Sequence, residues 1–192
     1  MKKLLCLITA SLLINFIVYA QSDYTEPSTG IVFPPELAGF KRGKVTDFEK
    51  DQKGLGVSIG YRHQTVSTIW ADIYIYNLSI NNIVDGPDSK ETHSCYDEAE
   101  SQIYGAQKKG IYKKVKKVSK EVIPFSESEN NKKIIKGVYT FKANGKKLIS
   151  NLLVTGYKNN FFKIRFSYPQ EYQSEGEEAL KTLNKELNML LE

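Results

Sequence analysis

Residues 69–79, IWADIYIYNLS, alternate strictly, and both sides of the alternation are bulky. One side carries Ile69, Ala71, Ile73 and Ile75; the other carries Trp70, Asp72, Tyr74, Tyr76 and Leu78. Successive side chains of a β-strand point to opposite faces, so a period of two makes this stretch a strand. A strand that met water on one side would be polar there. Bulk on both sides therefore reads as a strand inside a sheet covered on both faces. The aromatic side has a second reading, a ligand platform, and the two differ in whether anything packs over Tyr74 and Tyr76. Packing is the preferred one, because aromatic side chains bring large areas to a core.

The same two-sided bulk returns in FFKIRFSY, residues 161–168, where Phe162, Ile164, Phe166 and Tyr168 oppose Phe161, Lys163, Arg165 and Ser167. Working outward, FKRGKVTDFE and LGVSIGYRH flank the connection KDQKG and supply two strands before the first stretch. Asp85-Gly86-Pro87 then breaks regularity. Over residues 91–109 the period changes to three or four, with Tyr96, Ala99, Ile103 and Ala106 on one helix face. Ser94 is the expected cap and Gly110 the expected stop. Period two resumes in YKKVKKVSKEVIPF, KKIIKGVYTFKA, KKLISNLLVTGY and FFKIRFSY, with Asn144-Gly145 a two-residue hairpin signal between the second and third. Ala179, Leu180, Leu183, Leu187, Leu190 and Leu191 mark a final amphipathic helix near residues 174–191.

Three strands, a helix, four strands and a helix predict an α+β domain over residues 39–192: one antiparallel sheet of six to seven strands sandwiched by helices. That order resembles the sandwich of the PsbP extrinsic subunit of photosystem II and of a Ran-binding nuclear import factor. The block NNFFKIRFSYP with its following helix is also similar to bacterial secreted proteins of no known activity. The resemblance implies a fold. No functional motif of these families is matched, so it implies no role for any residue.

The N-terminus, MKKLLCLITASLLINFIVYAQSD, has two lysines, an apolar centre and the small-residue exit Val18-Tyr19-Ala20. This is the layout of a secretory signal peptide over residues 1–20, with cleavage after Ala20. The apolar run is at the short limit for a membrane span, so an uncleaved anchor is the alternative. Residues 21–38, QSDYTEPSTGIVFPPELA, read as a tether with an apolar clip at Ile31, Val32 and Phe33, since Ser, Thr, Gly and Pro discourage regular structure. Of the 27 basic residues Lys2 and Lys3 would leave with the leader, giving 25 against 22 acids, a net charge of +3. Cys95 is then the lone cysteine, so no internal disulfide forms, and stability must come from packing. The composition suits export to a bacterial periplasm, cell surface or medium.

Chemistry is sparse. His63, His93 and Cys95 are the only soft ligands after residue 20, too few for a metal site. There is no nucleophile elbow, and GLGVSIG leads into a strand rather than a phosphate-binding helix. No catalytic residue and no cofactor is assigned. Asp72 is the exception worth following, because a carboxylate between Trp70 and Tyr74 requires a partner. Arg165, Lys163 and Arg62 are candidates, and His63 could face Asp72 from the neighbouring strand.

Residues 108–120, KKGIYKKVKKVSK, hold seven lysines and no acid. Lys113, Lys114, Lys116 and Lys117 could meet an anionic polymer; alternatively they guard an edge strand against pairing with other chains. The absence of arginine and of interleaved aromatics disfavours nucleic acid. The candidate binding residues are thus Asp72, Tyr74, Tyr76, Arg165 and those four lysines. The expected function is an exported, non-enzymatic domain that binds a partner protein or an anionic envelope component. The alternative is a small envelope enzyme or small-ligand binder working near Asp72.

Overall fold

A computed structural model describes residues 21–125 and 132–192. Residues 1–20, where the leader is expected, lie outside the described residues. The strands are β1 (Tyr24–Thr25), β2 (Val32–Phe33), β3 (Glu36–Leu37), β4 (Phe40–Asp47), β5 (Val57–His63) and β6 (Trp70–Tyr76). After helix α1 (Lys90–Lys108) come β7 (Lys113–Pro124), β8 (Lys133–Ala143), β9 (Lys146–Tyr157) and β10 (Asn160–Pro169), then α2 (Gln173–Leu190). The main sheet has eight strands in the order β3-β4-β5-β6-β10-β9-β8-β7, and β1 pairs with β2 in a separate ribbon. Every pairing is antiparallel.

The expected count of six to seven strands is therefore low. The missing strand is β3, only two residues long and preceded by Pro34-Pro35, too short to show a period. It lies in the segment read as a tether with an apolar clip, where Ile31, Phe33 and Leu37 are buried and Val32 faces out. Buried Arg42 on β4 holds the ribbon by donating to the carbonyls of Phe33 and Ser22. The Tyr61 hydroxyl adds a 2.7 Å bond to the carbonyl of Pro34.

Local signals explain most element ends. Asn144 and Gly145 both take positive φ, 49° and 78°, as the tight hairpin between β8 and β9 requires. Lys158 and Asn159 do the same between β9 and β10, at 46° and 59°, without a glycine. Helix α1 begins earlier than expected: its cap is Ser89, whose hydroxyl accepts from the Thr92 amide at 3.1 Å, not Ser94, which lies inside the helix.

Two apolar layers flank the sheet. On one face Ile73 and Ile75 of β6 and Phe162, Ile164 and Phe166 of β10 pack with Leu180, Leu183 and Leu187 of α2. On the other, Tyr96, Ala99 and Ile103 of α1 pack with Ile135, Tyr139, Leu152 and Val154. Gly137 permits the close approach of α1, since a Cβ there would lie 1.8 Å from the Tyr96 hydroxyl oxygen. The Tyr96 hydroxyl bonds that of Tyr139 at 2.7 Å, and Tyr139 donates to Glu100 at 2.8 Å.

Candidate functional site

Helix α1 lies chiefly over β7, β8 and β9 and reaches Tyr76 at the end of β6 through Cys95, and the sheet face over β5 and the rest of β6 is left partly open. Cross-strand register shows what lies on that face. One row runs Glu36, Lys41, Arg62, Trp70, Ser167; the next Gly60, Asp72, Arg165; the third Thr46, Ser58, Tyr74, Lys163. Trp70, Asp72, Tyr74 and Tyr76 are each half-buried, whereas Ile69, Ala71, Ile73 and Ile75 on the opposite face are fully covered. The two sides of the opening stretch thus have different fates: one is core, and the other forms the margin of the α1 layer.

The charged groups on this face are unevenly matched. Asp72 pairs with Arg62 at 3.4 Å, and the Arg62 guanidinium also lies 5.8 Å from the centre of the Trp70 ring. Lys163 has its ammonium 4.4 Å from the Tyr74 ring centre and 4.9 Å from that of Tyr76. Burial lowers the Lys163 pKa from its ordinary value, and the nearby Arg165 charge adds to the effect. Arg165 sits directly opposite Asp72 on the neighbouring strand, yet its hydrogen bond goes to the Ser150 hydroxyl at 3.4 Å. Its Nε–H is desolvated and has no partner. The Ser150 hydroxyl is itself paired with that of Ser167 at 2.8 Å.

Of the two tyrosines, Tyr76 is the one α1 secures. Its hydroxyl meets the Cys95 sulfur at 3.2 Å, and its ring lies 5.7 Å from that of Phe161. Burial, then the Cys95 charge, raises its pKa far above the usual tyrosine range. Tyr74 lies one step further out, and its pKa is raised by burial first and by Asp72 next. Tyr112, stacked on Phe141 at 4.1 Å just beyond α1, is close enough to bear on Tyr74 electrostatically.

The structure brings together Asp72, Tyr74, Tyr76 and Arg165, and it separates them from the lysines. Lys113, Lys114, Lys116 and Lys117 belong to β7, the outer edge of the sheet, four strand spacings from β6 and hence roughly 19 Å away. Two register shifts bend this edge, one between Lys113 and Lys116 and one between Lys117 and Ser119. Lys117 pairs with Glu100 at 2.7 Å and Lys120 with Asp97 at 2.8 Å, so part of the charge is matched by α1.

His63 does not face Asp72. Its Nδ1 is engaged by the Thr65 hydroxyl at 3.1 Å and the Val66 amide at 3.2 Å, and its ring meets Phe40 edge-on. Cys95 is buried, with a pKa raised by desolvation, which makes it a poor nucleophile. Among the described residues no three His, Cys, Asp or Glu side chains converge as ligands for a metal ion. A surface cavity of about 210 Å³ opens beside the start of α1, lined by Leu78, Ile80, Ser94, Cys95, Glu98 and Phe161. Asp72 does not line it.

Sequence reasoning treated Lys163 and Arg62 only as partners for Asp72, and Trp70 only as bulk. Their place on the open face follows from register, which alternation within one strand does not carry. One signal was available: a lysine and an arginine two apart, Lys163 and Arg165, in an otherwise apolar strand.

No protein-family model matches the chain, and no curated protein does. The solution structure of cyanobacterial PsbP (CyanoP) from Synechocystis sp. PCC 6803 is similar with a TM-score of 0.52 at 10% sequence identity, covering 85% of this chain and 89% of that one. Likeness at so low an identity is one of backbone architecture, and it shows that this chain has a PsbP-like fold, a large antiparallel sheet with two helices.

Proposed function

We propose that the protein is an exported, non-enzymatic binding domain whose ligand is a partner protein or an anionic component of the cell envelope. The observation that carries this reading is the open half of the α1 face. There Trp70 and Tyr74 lie among Arg62, Lys163 and Arg165, with Asp72 as the carboxylate beside them and Glu36 further out, opposite Lys41. Tryptophan, tyrosine and arginine together on a half-buried face are the composition of interaction hot spots. Export is supported by the basic start, apolar centre and small-residue exit of residues 1–20. Among the described residues no helix is long and apolar enough to cross a membrane.

The competing reading is a small enzyme or ligand-binding site at Asp72. It needs a proton-transfer partner, and His63, the nearest histidine in sequence, is turned into its own loop. Two measurements test the proposal. Mass spectrometry of the exported protein should find Gln21 at the N-terminus; a form that keeps Met1 in the membrane fraction would replace export and cleavage with an anchor. Tagged residues 21–192 should bind envelope extract saturably, with competition by untagged protein and weakening by salt. Absence of saturable binding would overturn the binding-domain reading.

A further inference from the structure

We infer that the open sheet face docks an acidic segment of a partner protein, with Arg165 as the anchor that receives a carboxylate. The inference rests on the binding-domain reading and narrows its partner. Charge complementarity is the first argument. Lys41, Arg62, Lys163 and Arg165 share the face with Asp72, and from the margin Glu98 of α1 bears on Lys163. Glu36 stands opposite Lys41 at the outer end, so four cations face three acids, an excess that an acidic partner would neutralise.

The state of Arg165 is the second argument. A guanidinium offers five donors, suited to a carboxylate's two oxygens. Arg165 uses one, in a long 3.4 Å bond to Ser150, while its buried Nε–H has no partner. No described carboxylate lies within ion-pair distance of Arg165 or Lys163; Asp72, placed opposite Arg165, is taken by Arg62. The outer N–H groups of Arg165, which have no carboxylate of their own, are the donors that a projecting carboxylate would engage.

The recess of these groups selects the kind of partner. Lys163 is flanked by two tyrosine rings and Arg165 is half-buried, so an anion must project inward to reach them. Glutamate and aspartate side chains on a peptide do so, and Trp70 and Tyr74 offer apolar contact beside them. A bilayer presents its phosphates as a broad plane and would favour protruding lysines instead. A second copy, apposed face to face, would bring like charges together.

The chain contains one tryptophan, Trp70, so its fluorescence reports from the face itself. Residues 21–192 are titrated with poly-L-glutamate, with phosphatidylglycerol vesicles and with inorganic phosphate. The expected result is a saturable change in Trp70 emission with the polypeptide, weakened about tenfold or more in Arg165→Gln. Lys163→Gln should weaken it too, and Lys113→Gln with Lys116→Gln should leave it in place. Thermal midpoints accompany each variant; if Arg165→Gln unfolds, Lys163→Gln and Arg62→Gln carry the same test. A flat polypeptide titration overturns the inference. So does equal or tighter engagement of vesicles or phosphate with the same Arg165 dependence, which would assign the face to phosphate. Saturable binding to envelope extract that Arg165→Gln, Lys163→Gln and Arg62→Gln all leave intact would remove this face and keep the binding-domain reading.

Discussion

Neighbouring tyrosines on one face of one strand are set apart by two contacts. Tyr76 is closed in by Cys95 and Phe161, while Tyr74 stays at the margin with Lys163 against its ring. Truncating Tyr76 to alanine should therefore cost about 3 kcal/mol, the lower range for loss of a buried aromatic. Tyr74→Ala should cost about 1 kcal/mol, as at a site that water already reaches, and should weaken partner binding more than it lowers stability. Denaturant melts of both variants check the order, and equal losses would mean that α1 covers both residues alike. Alternation in residues 69–79 showed that these side chains share a face. It could not say where on that face the helix ends, because coverage depends on which strands α1 crosses.

Helix α1 and strand β7 bound the α1 layer at the scale of elements. The helix rests on a strand only because Gly137 leaves room for the Tyr96 hydroxyl, whose pKa burial pushes up to about 12. Gly137→Ala should lower stability by about 1–3 kcal/mol, as overpacking does, by lifting α1 or twisting Tyr96 from Tyr139. Calorimetry would show it, and an unchanged midpoint would mean the helix sits more loosely than described. Among the described residues strand β7 has an outer edge without a strand partner, and it carries two register shifts and a row of lysines, the devices that stop edge-to-edge association. Replacing Lys113, Lys114, Lys116 and Lys117 with glutamine should raise light scattering on concentration while retention on an anionic matrix persists. Loss of retention would return the lysines to the site. The four long C-terminal strands, the turn at Asn144-Gly145 and both helices were legible because each has a full period or a turn signal. Strand β3 and the cap at Ser89 were not: one is too short for a period, and Ser94 offered an equally good local cap.

For the whole molecule, the tyrosines set the response to alkali. Tyr61, Tyr74, Tyr76 and Tyr139 all have folded pKa values raised by burial above 10.0. Above that pH the unfolded chain releases protons that the fold retains, so stability is full below pH 10 and falls as pH rises beyond it. Lys163 acts in the opposite sense below 10.5, its folded value being lowered, but it is one group against seven raised tyrosines, Tyr24, Tyr96 and Tyr168 being the others. Unfolding midpoints followed through pH 10–11 should therefore drop steeply, and more shallowly in Tyr76→Phe; a flat profile would mean these hydroxyls are not buried. By itself the sequence determined the order of elements, the class α+β, which residues of the central strands share a face and the scarcity of catalytic groups. All of these are written in local period and residue type. Only the tertiary structure decided that β6 lies beside β10, that α1 covers Tyr76 at the end of β6 but leaves Trp70, Asp72 and Tyr74 at its margin, and that the lysine run stands apart from Asp72. Those facts depend on strand pairing between segments distant in the chain, where register and helix placement are set by the packing of two faces at once.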